Sequence, residues 1–395
     1  MVTFIKRHLT TVAVALFVFS GPVFGADVGP EELKEKADLD LLLLSNWSQS
    51  ASLSSFAGYH DNVGLSSVQA DGSAFFRGEA EVMLLRLPEH GFDGYAFLDV
   101  SETRYFSADT TDHERSAFLT SEVRWQASEK LKLGLQAQGY HHDQVFDVSV
   151  SEAEINSALL KVTGATLSPS VRWGFSGDWW TEVRGTGRKD HYAENIDGYK
   201  EGEGSARIGR SWGYGSEWSV MGLRRWRAHD TRELYTAAGR PIAGSHLKVQ
   251  QNEYAMNLIF VPDKKKSWRG TLTALREENR DKGSGYFDFT KQQLTAGLTW
   301  KNSVWELHGT ASAAHYDFPV QKVGIGIAPE NRHKNEYGLT VEATRRLTAA
   351  WSVVACYETE RALSNDDRSR FRINTGYIGL KWSWDNLGLE RNPEK

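Results

Sequence analysis

The stretch Gln293-Leu294-Thr295-Ala296-Gly297-Leu298-Thr299-Trp300 sets Leu294, Ala296, Leu298 and Trp300 against Gln293, Thr295 and Thr299 with a period of two. Successive side chains of a strand point to opposite faces, so this segment has one oily face and one wet face. Gln136 and Gln138 alternate in the same way with Leu133, Leu135 and Ala137. A sheet whose oily face meets lipid and whose wet face meets water must close on itself, because no open edge survives in a bilayer. The pattern therefore predicts an all-β fold, a transmembrane antiparallel up-and-down barrel.

Segments of this kind recur at 48–60, 74–87, 92–105, 114–127, 130–143, 165–175, 178–191, 198–212, 215–229, 247–261, 266–279, 285–301, 303–316, 333–347, 350–363 and 368–384, sixteen in all. The sixth has an alternative start near 156. Tight connections such as Ser128-Glu129, Ser176-Gly177, Gly213-Tyr214 and Thr348-Ala349 take turns with long ones such as 144–164, 230–246 and 317–332. Short periplasmic turns and long external loops are the expected asymmetry, which puts both termini in the periplasm. Tryptophans collect beside the short turns: Trp125, Trp173, Trp179, Trp212, Trp218, Trp268, Trp300, Trp305, Trp351, Trp382 and Trp384. Aromatic belts mark the membrane–water interface, so these residues are expected to gird the inner rim.

Residues 1–25 carry Lys6 and Arg7, then the apolar run from Val12 to Phe19, then small residues before Ala26, and this reads as a secretory signal peptide. Pro30-Glu31-Glu32 ahead of Leu33, Ala37, Leu41 and Leu44 predicts a short helix within a periplasmic segment, 26–47, or a loosely ordered leader. The barrel then occupies 48–384, and 385–395 forms a periplasmic tail. No later apolar run reaches the ~20 residues of a spanning helix, and mean hydropathy is −0.48. Loss of the signal moves the net charge from −5 to −7, so no basic nucleic-acid surface is implied. Cys356 is the sole cysteine and has no internal disulfide partner.

The last segment sets Ile378, Leu380, Trp382 and Trp384 against Gly379, Lys381 and Ser383. This resembles the C-terminal signature of outer-membrane proteins, and the resemblance implies recognition by the barrel assembly machinery and a home among outer-membrane lipid. Gly58-Tyr59-His60-Asp61-Asn62-Val63 resembles the opening common in putative β-barrel porins and in barrels associated with export of surface polymers.

On the wet face the same parity collects Arg77, Glu79, Glu81, Glu122, Arg124, Arg172, Glu182, Arg184, Arg188, Glu201, Glu203 and Arg207 as pore-lining candidates. Arg or Lys on the lipid face at mid-membrane costs roughly 2–4 kcal/mol, which drives such groups inward or to an interface. They would form either a charged constriction or a salt-bridged ladder that stiffens the wall. Mixed signs argue against strong ion selectivity. A loop folded into the bore, for example 230–246 or 317–332 with Gly324 and Gly326, would narrow it, although a solvent-exposed surface loop is the favoured reading for either one alone.

Chemistry is thinly represented. His308 and Ser312 share a face but lie roughly 13 Å apart along a strand, beyond contact. His141 and His142 point oppositely and cannot readily share a metal. Asp112-His113 and Asn365-Asp366-Asp367 resemble an outer-membrane protease site only in residue type. Cys356 reads as an inert luminal wall residue. No phosphate loop, haem motif or paired-cysteine site occurs, so neither a metal nor a cofactor is expected and the chain is read as a non-enzyme. The favoured function is passive diffusion of small hydrophilic solutes. Its rivals are a conduit that works with a periplasmic or export partner and, behind it, a hydrolase.

Overall fold

The computed structural model describes residues 47–150, 157–193, 197–324 and 328–385. The signal peptide, the N-terminal helix and the tail beyond Asp385 lie outside the described residues. Eighteen strands are present among those described. They are β1 Trp47–His60, β2 Ser73–Glu89, β3 Phe92–Tyr105, β4 His113–Gln126, β5 Leu131–Asp147 and β6 Ser157–Ser176. Next come β7 Trp179–Tyr192, β8 Tyr199–Trp212, β9 Ser216–His229, β10 Leu234–Tyr235, β11 Pro241–Ile242 and β12 Lys248–Phe260. The chain ends with β13 Trp268–Asp281, β14 Phe289–Lys301, β15 Trp305–Val323, β16 Glu330–Arg346, β17 Trp351–Ser364 and β18 Phe371–Asp385.

Sixteen of these, all but the small hairpin β10–β11, form one closed antiparallel barrel in which each strand pairs with its sequence neighbours and β1 closes onto β18. The closing seam runs in unbroken register from Ser50 opposite Asp385 to His60 opposite Thr375. With every ladder donor and acceptor shared between strands, no backbone edge remains to be satisfied by lipid. Tight turns are allowed by glycines in the left-handed region, Gly177 at φ 51° and Gly213 at φ 58°, where a Cβ would be strained.

Alternation in sequence becomes alternation in exposure. Leu53, Val183 and Ile378 are exposed by 55%, 58% and 59%, although each sits in the middle of a fully paired strand. Such exposure is what a bilayer-facing aliphatic shows when the lipid is absent. The aromatic rim follows the short turns, where Trp125, Trp173, Trp268, Trp305, Trp351 and Trp384 are exposed. Phe92 stacks on Trp125, Trp179 meets Trp218 edge to face, and Trp268 tilts against Trp300. Trp212 and Trp382 share that end of the barrel, at the last turn of β8 and of β18.

Three expectations are corrected. The sixth strand starts at Ser157, beside the alternative start near 156 and not at 165, because β5 and β6 extend together as a hairpin paired out to Asp147 opposite Ser157. Most of 317–332 is strand, since β15 runs on to Val323 and β16 begins at Glu330. Phe318, only 1% exposed, packs on Phe289, Ala314 and Tyr316, and that burial repays the extension. The 230–246 loop makes the hairpin β10–β11, whose Leu234 and Tyr235 pack against Leu247, Val249 and Phe287. Neither loop is the element that crosses the bore.

Candidate functional site: a strapped, charged lumen

The bore is crossed by residues 147–150, at the end of β5 and just beyond it. Around the barrel, β5 and β16 stand seven strands apart one way and nine the other, so a contact between them spans the lumen. Asp147, at the end of β5, pairs with Lys334 of β16, whose ammonium also reaches Ser149 Oγ at 3.2 Å and Glu336 at 2.7 Å. Arg332, two residues earlier on the same face, donates to the Ser149 carbonyl at 2.8 Å, to Gln321 Oε1 at 2.9 Å and to Ser369 Oγ at 2.8 Å. Both cations are buried, Lys334 at 0% exposure and Arg332 at 5%. Their remaining faces are covered by rings: Arg332 lies 4.7 Å from the Phe318 centroid and Lys334 5.7 Å from that of Phe371. Val150 completes the fit by packing on the Phe289, Tyr316 and Phe318 cluster.

This strap divides the space. On one side of Val150 a cavity of about 530 Å³ is bordered by Glu114, Asp147, Glu336 and Glu360. It leads into a second cavity of about 440 Å³ that shares His60, Glu114, Gln144, Glu336 and Glu360 with it and adds Arg77, Lys291 and Glu358. On the other side a smaller cavity of about 240 Å³ is lined by Arg225, Arg227, His229, Arg232 and Glu277. Nearer the aromatic rim the bore opens again into spaces of about 690 and 550 Å³.

The structure places all twelve charged candidates on the luminal face and brings most into pairs. Arg77 binds Glu79 at 2.7 Å, and Glu81 accepts from Lys381 at 2.7 Å and from Ser52. Arg124 pairs with Asp93, and Arg184 reaches Gln136 at 3.0 Å and Glu182 at 3.4 Å. Glu122 borders the same space as Arg124, Arg172 and Arg184. Arg172 covers the Trp180 ring at 3.8 Å and faces Glu217 at 3.7 Å. Arg188 holds Asp190 at 2.7 Å between the rings of Tyr140 and Tyr199, whereas the Arg207 guanidinium reaches the Met221 sulfur at 3.5 Å and makes no ion pair among the described residues.

Residues the sequence reading passed over complete the wall. Arg225 joins Glu203 at 2.7 Å, Glu201 at 3.2 Å and Gln251 at 3.0 Å, and Arg227 joins Glu201 at 2.8 Å. They obey the same parity that placed Glu201 and Glu203, so period two on β9 was a sufficient signal. Lys334 and Arg332 carried a weaker signal, because nothing local distinguishes a buried cation from a solvated one.

Above the bore the loops are tied down by carboxylates. Asp197 accepts from the Thr231 and Arg232 amides at 2.7 Å each and from Thr231 Oγ1 at 2.9 Å. Burial raises its pKa, but these hydrogen bonds outweigh that cost and hold the carboxyl below its ordinary range.

The other sequence candidates stay apart. His308 contacts Thr299 at 3.0 Å and Thr310 at 3.1 Å, and Ser312 lines the bore farther along. His141 faces outward to Thr163 whereas His142 packs inward on Tyr140. Asp112 pairs with His113, and Asp366 pairs with Arg368 at 3.1 Å. Cys356 is buried and donates to Glu358 at 3.7 Å. No group of three or more metal-ligating side chains occurs among the described residues.

The apolar outer face, the aromatic rim and the charged bore make this a β-barrel of the outer-membrane type. No family model and no curated protein matches the sequence. Among solved structures, OccAB1 of Acinetobacter baumannii is similar at TM-score 0.47 and 9% identity, over 86% of this chain and 97% of that one. A bacterial polysaccharide outer membrane secretin is similar at TM-score 0.40 and 9% identity, over 86% and 98%. CdiB from Acinetobacter baumannii is similar at 0.44 and 10%, over 85% of this chain and 60% of that one. At these scores the likenesses carry no argument, and the fold rests on the strand pairing itself.

Proposed function

We propose that the barrel is a porin-like channel for passive diffusion of small hydrophilic solutes, without turnover, with the long loops outside and both termini in the periplasm. The strap carries this reading. A barrel of sixteen strands encloses an aqueous bore, and a segment anchored across it by buried cations turns a wide hole into a size filter while leaving polar cavities on both sides. The lane past Glu114, Glu336, Glu358 and Glu360 is richer in acids than in bases, which favours cations modestly over anions. The same strap counts against a polymer conduit, because a chain in transit would have to break the Lys334 and Arg332 anchors.

Planar-bilayer recording of the purified mature protein tests the reading. Steady, ohmic steps with a mild cation preference are expected. A silent protein that co-purifies with a periplasmic partner would favour the conduit instead.

A further inference from the structure

We infer that the outer face of β7, β8, β9 and β12, at the long-loop end, is a docking surface for a phosphorylated lipid headgroup of the surrounding leaflet. Lys189 and Lys200 are direct cross-strand partners, and the next positions in that row are Ala228 and then Lys248. All three lysines are exposed on the lipid side, whereas their neighbours Arg188, Asp190, Glu201 and Val249 turn inward. Like charges directly opposite on a sheet repel, so the pairing costs stability unless an anion sits against it. None of the three has an acidic partner within 4 Å among the described residues. Lys161, on the next strand along, differs, since it faces Asp143 at 3.9 Å. Neighbouring strands lie ~4.8 Å apart, so the row spans roughly 14 Å, a width suited to more than one phosphate.

A second observation points to the same occupant. Arg224 lies four residues below Ala228 on the lipid side of β9, roughly 10 Å deeper in a tilted strand. It has no ion pair among the described residues, and its guanidinium leans over Trp226 at 5.5 Å, toward the lysine row. That is the posture of a cation reaching up from an apolar layer to a headgroup. Beside it the barrel surface is bare. Gly187 opposes Gly202, and Gly204 lies opposite Arg224. A Cβ added at Gly187, Gly202, Gly204 or Gly222 would meet nothing within 4 Å. Acyl chains can lie flush on such a strip while the headgroup meets the cations. The occupant is an anionic lipid because the site is a lipid-facing row with a glycine-lined trough directly below it on β7–β9, flanked on β12 by Gln250 and Asn252. The inference rests on the channel reading only for which leaflet that row meets.

The test compares the wild type with Lys189→Gln/Lys200→Gln/Lys248→Gln, and with Lys264→Gln/Lys265→Gln/Lys266→Gln, which removes equal charge at the opposite rim. Each is reconstituted in phosphatidylcholine vesicles doped with diphosphoryl lipid A, extracted in nonionic detergent and examined by native mass spectrometry. Heat-modifiable gel migration verifies that each barrel is folded, and bilayer conductance reads the channel separately. The wild type and the rim control should keep a glycolipid adduct. The row variant should bind it about a hundredfold more weakly, at about one lysine's worth of surface attraction per position, with conductance unchanged. Equal retention by all three, no adduct on the wild type, or a self-associated dimer in place of the adduct would overturn the inference. Should the triple variant fail to fold, Lys200→Gln alone must still weaken the adduct by several-fold, and no weakening would equally overturn it.

Discussion

Two stretches of the luminal wall carry charges of both signs and use them in opposite ways. Along β7–β9, Arg188 is matched with Asp190 two residues along the same strand, and Arg225 and Arg227 with Glu203 and Glu201 on the adjacent strand; the arginines stay partly open to the bore, and Asp190 and Glu201 are buried beneath them. Along β14–β17, Lys334 and Arg332 are sealed among rings, and their partners Asp147 and Ser149 come from the far side of the barrel. The first arrangement is local and stiffens a wall. The second is long-range and spans the lumen. Charge in a barrel interior therefore has to be read by the distance its partner travels along the chain as well as by sign.

The largest effect that separates the two is expected from Lys334→Ala. It leaves Asp147 and Glu336 without their buried cation, and breaking such a pair costs about 3–5 kcal/mol. Urea unfolding in detergent micelles should show that loss, and single-channel recordings should show a higher, noisier conductance as the strap lets go. Arg225→Ala removes three contacts from the ladder. It should cost about 1–3 kcal/mol with conductance nearly unchanged; a conductance jump equal to that of Lys334→Ala would erase the distinction between the walls.

Selectivity sharpens the contrast at smaller cost. Glu358→Gln/Glu360→Gln, in the open lane, should move the zero-current potential in a salt gradient toward anions, whereas Arg184→Glu should move it modestly toward cations. An unaltered potential in Arg184→Glu would make that residue wall alone. The smallest change is expected from Trp351→Ala on the rim, where losing one of many aromatic anchors should lower stability by no more than about 1 kcal/mol and leave the channel intact.

Most of the barrel was legible because a strand with lipid on one side and water on the other must alternate, and each of the sixteen barrel strands overlaps a segment read from period two. The same rule put Arg77, Glu122 and Glu201 inside. It could not show the strap. The 147–150 segment becomes a crossing element only through Arg332 and Lys334, nearly two hundred residues later, and periodicity holds no information about such partners. For the same reason the loops 230–246 and 317–332, offered as examples of a loop able to fold inward, do not supply the crossing segment. Length marks freedom to move, whereas burying Lys334, Arg332 and Phe318 under a strap requires a specific fit. The outward lysine row was visible in sequence as single residues but needed register to place Lys189 opposite Lys200.

The central claim is that a size filter is held in the bore by those buried anchors. Liposome swelling with neutral sugars of increasing size, wild type beside Lys334→Ala, tests it most directly. Small sugars should enter through both proteins and larger ones through the variant alone. The same cutoff for both would mean that the strap does not gate the bore, and no swelling with either would mean that the lumen is not a route for solutes.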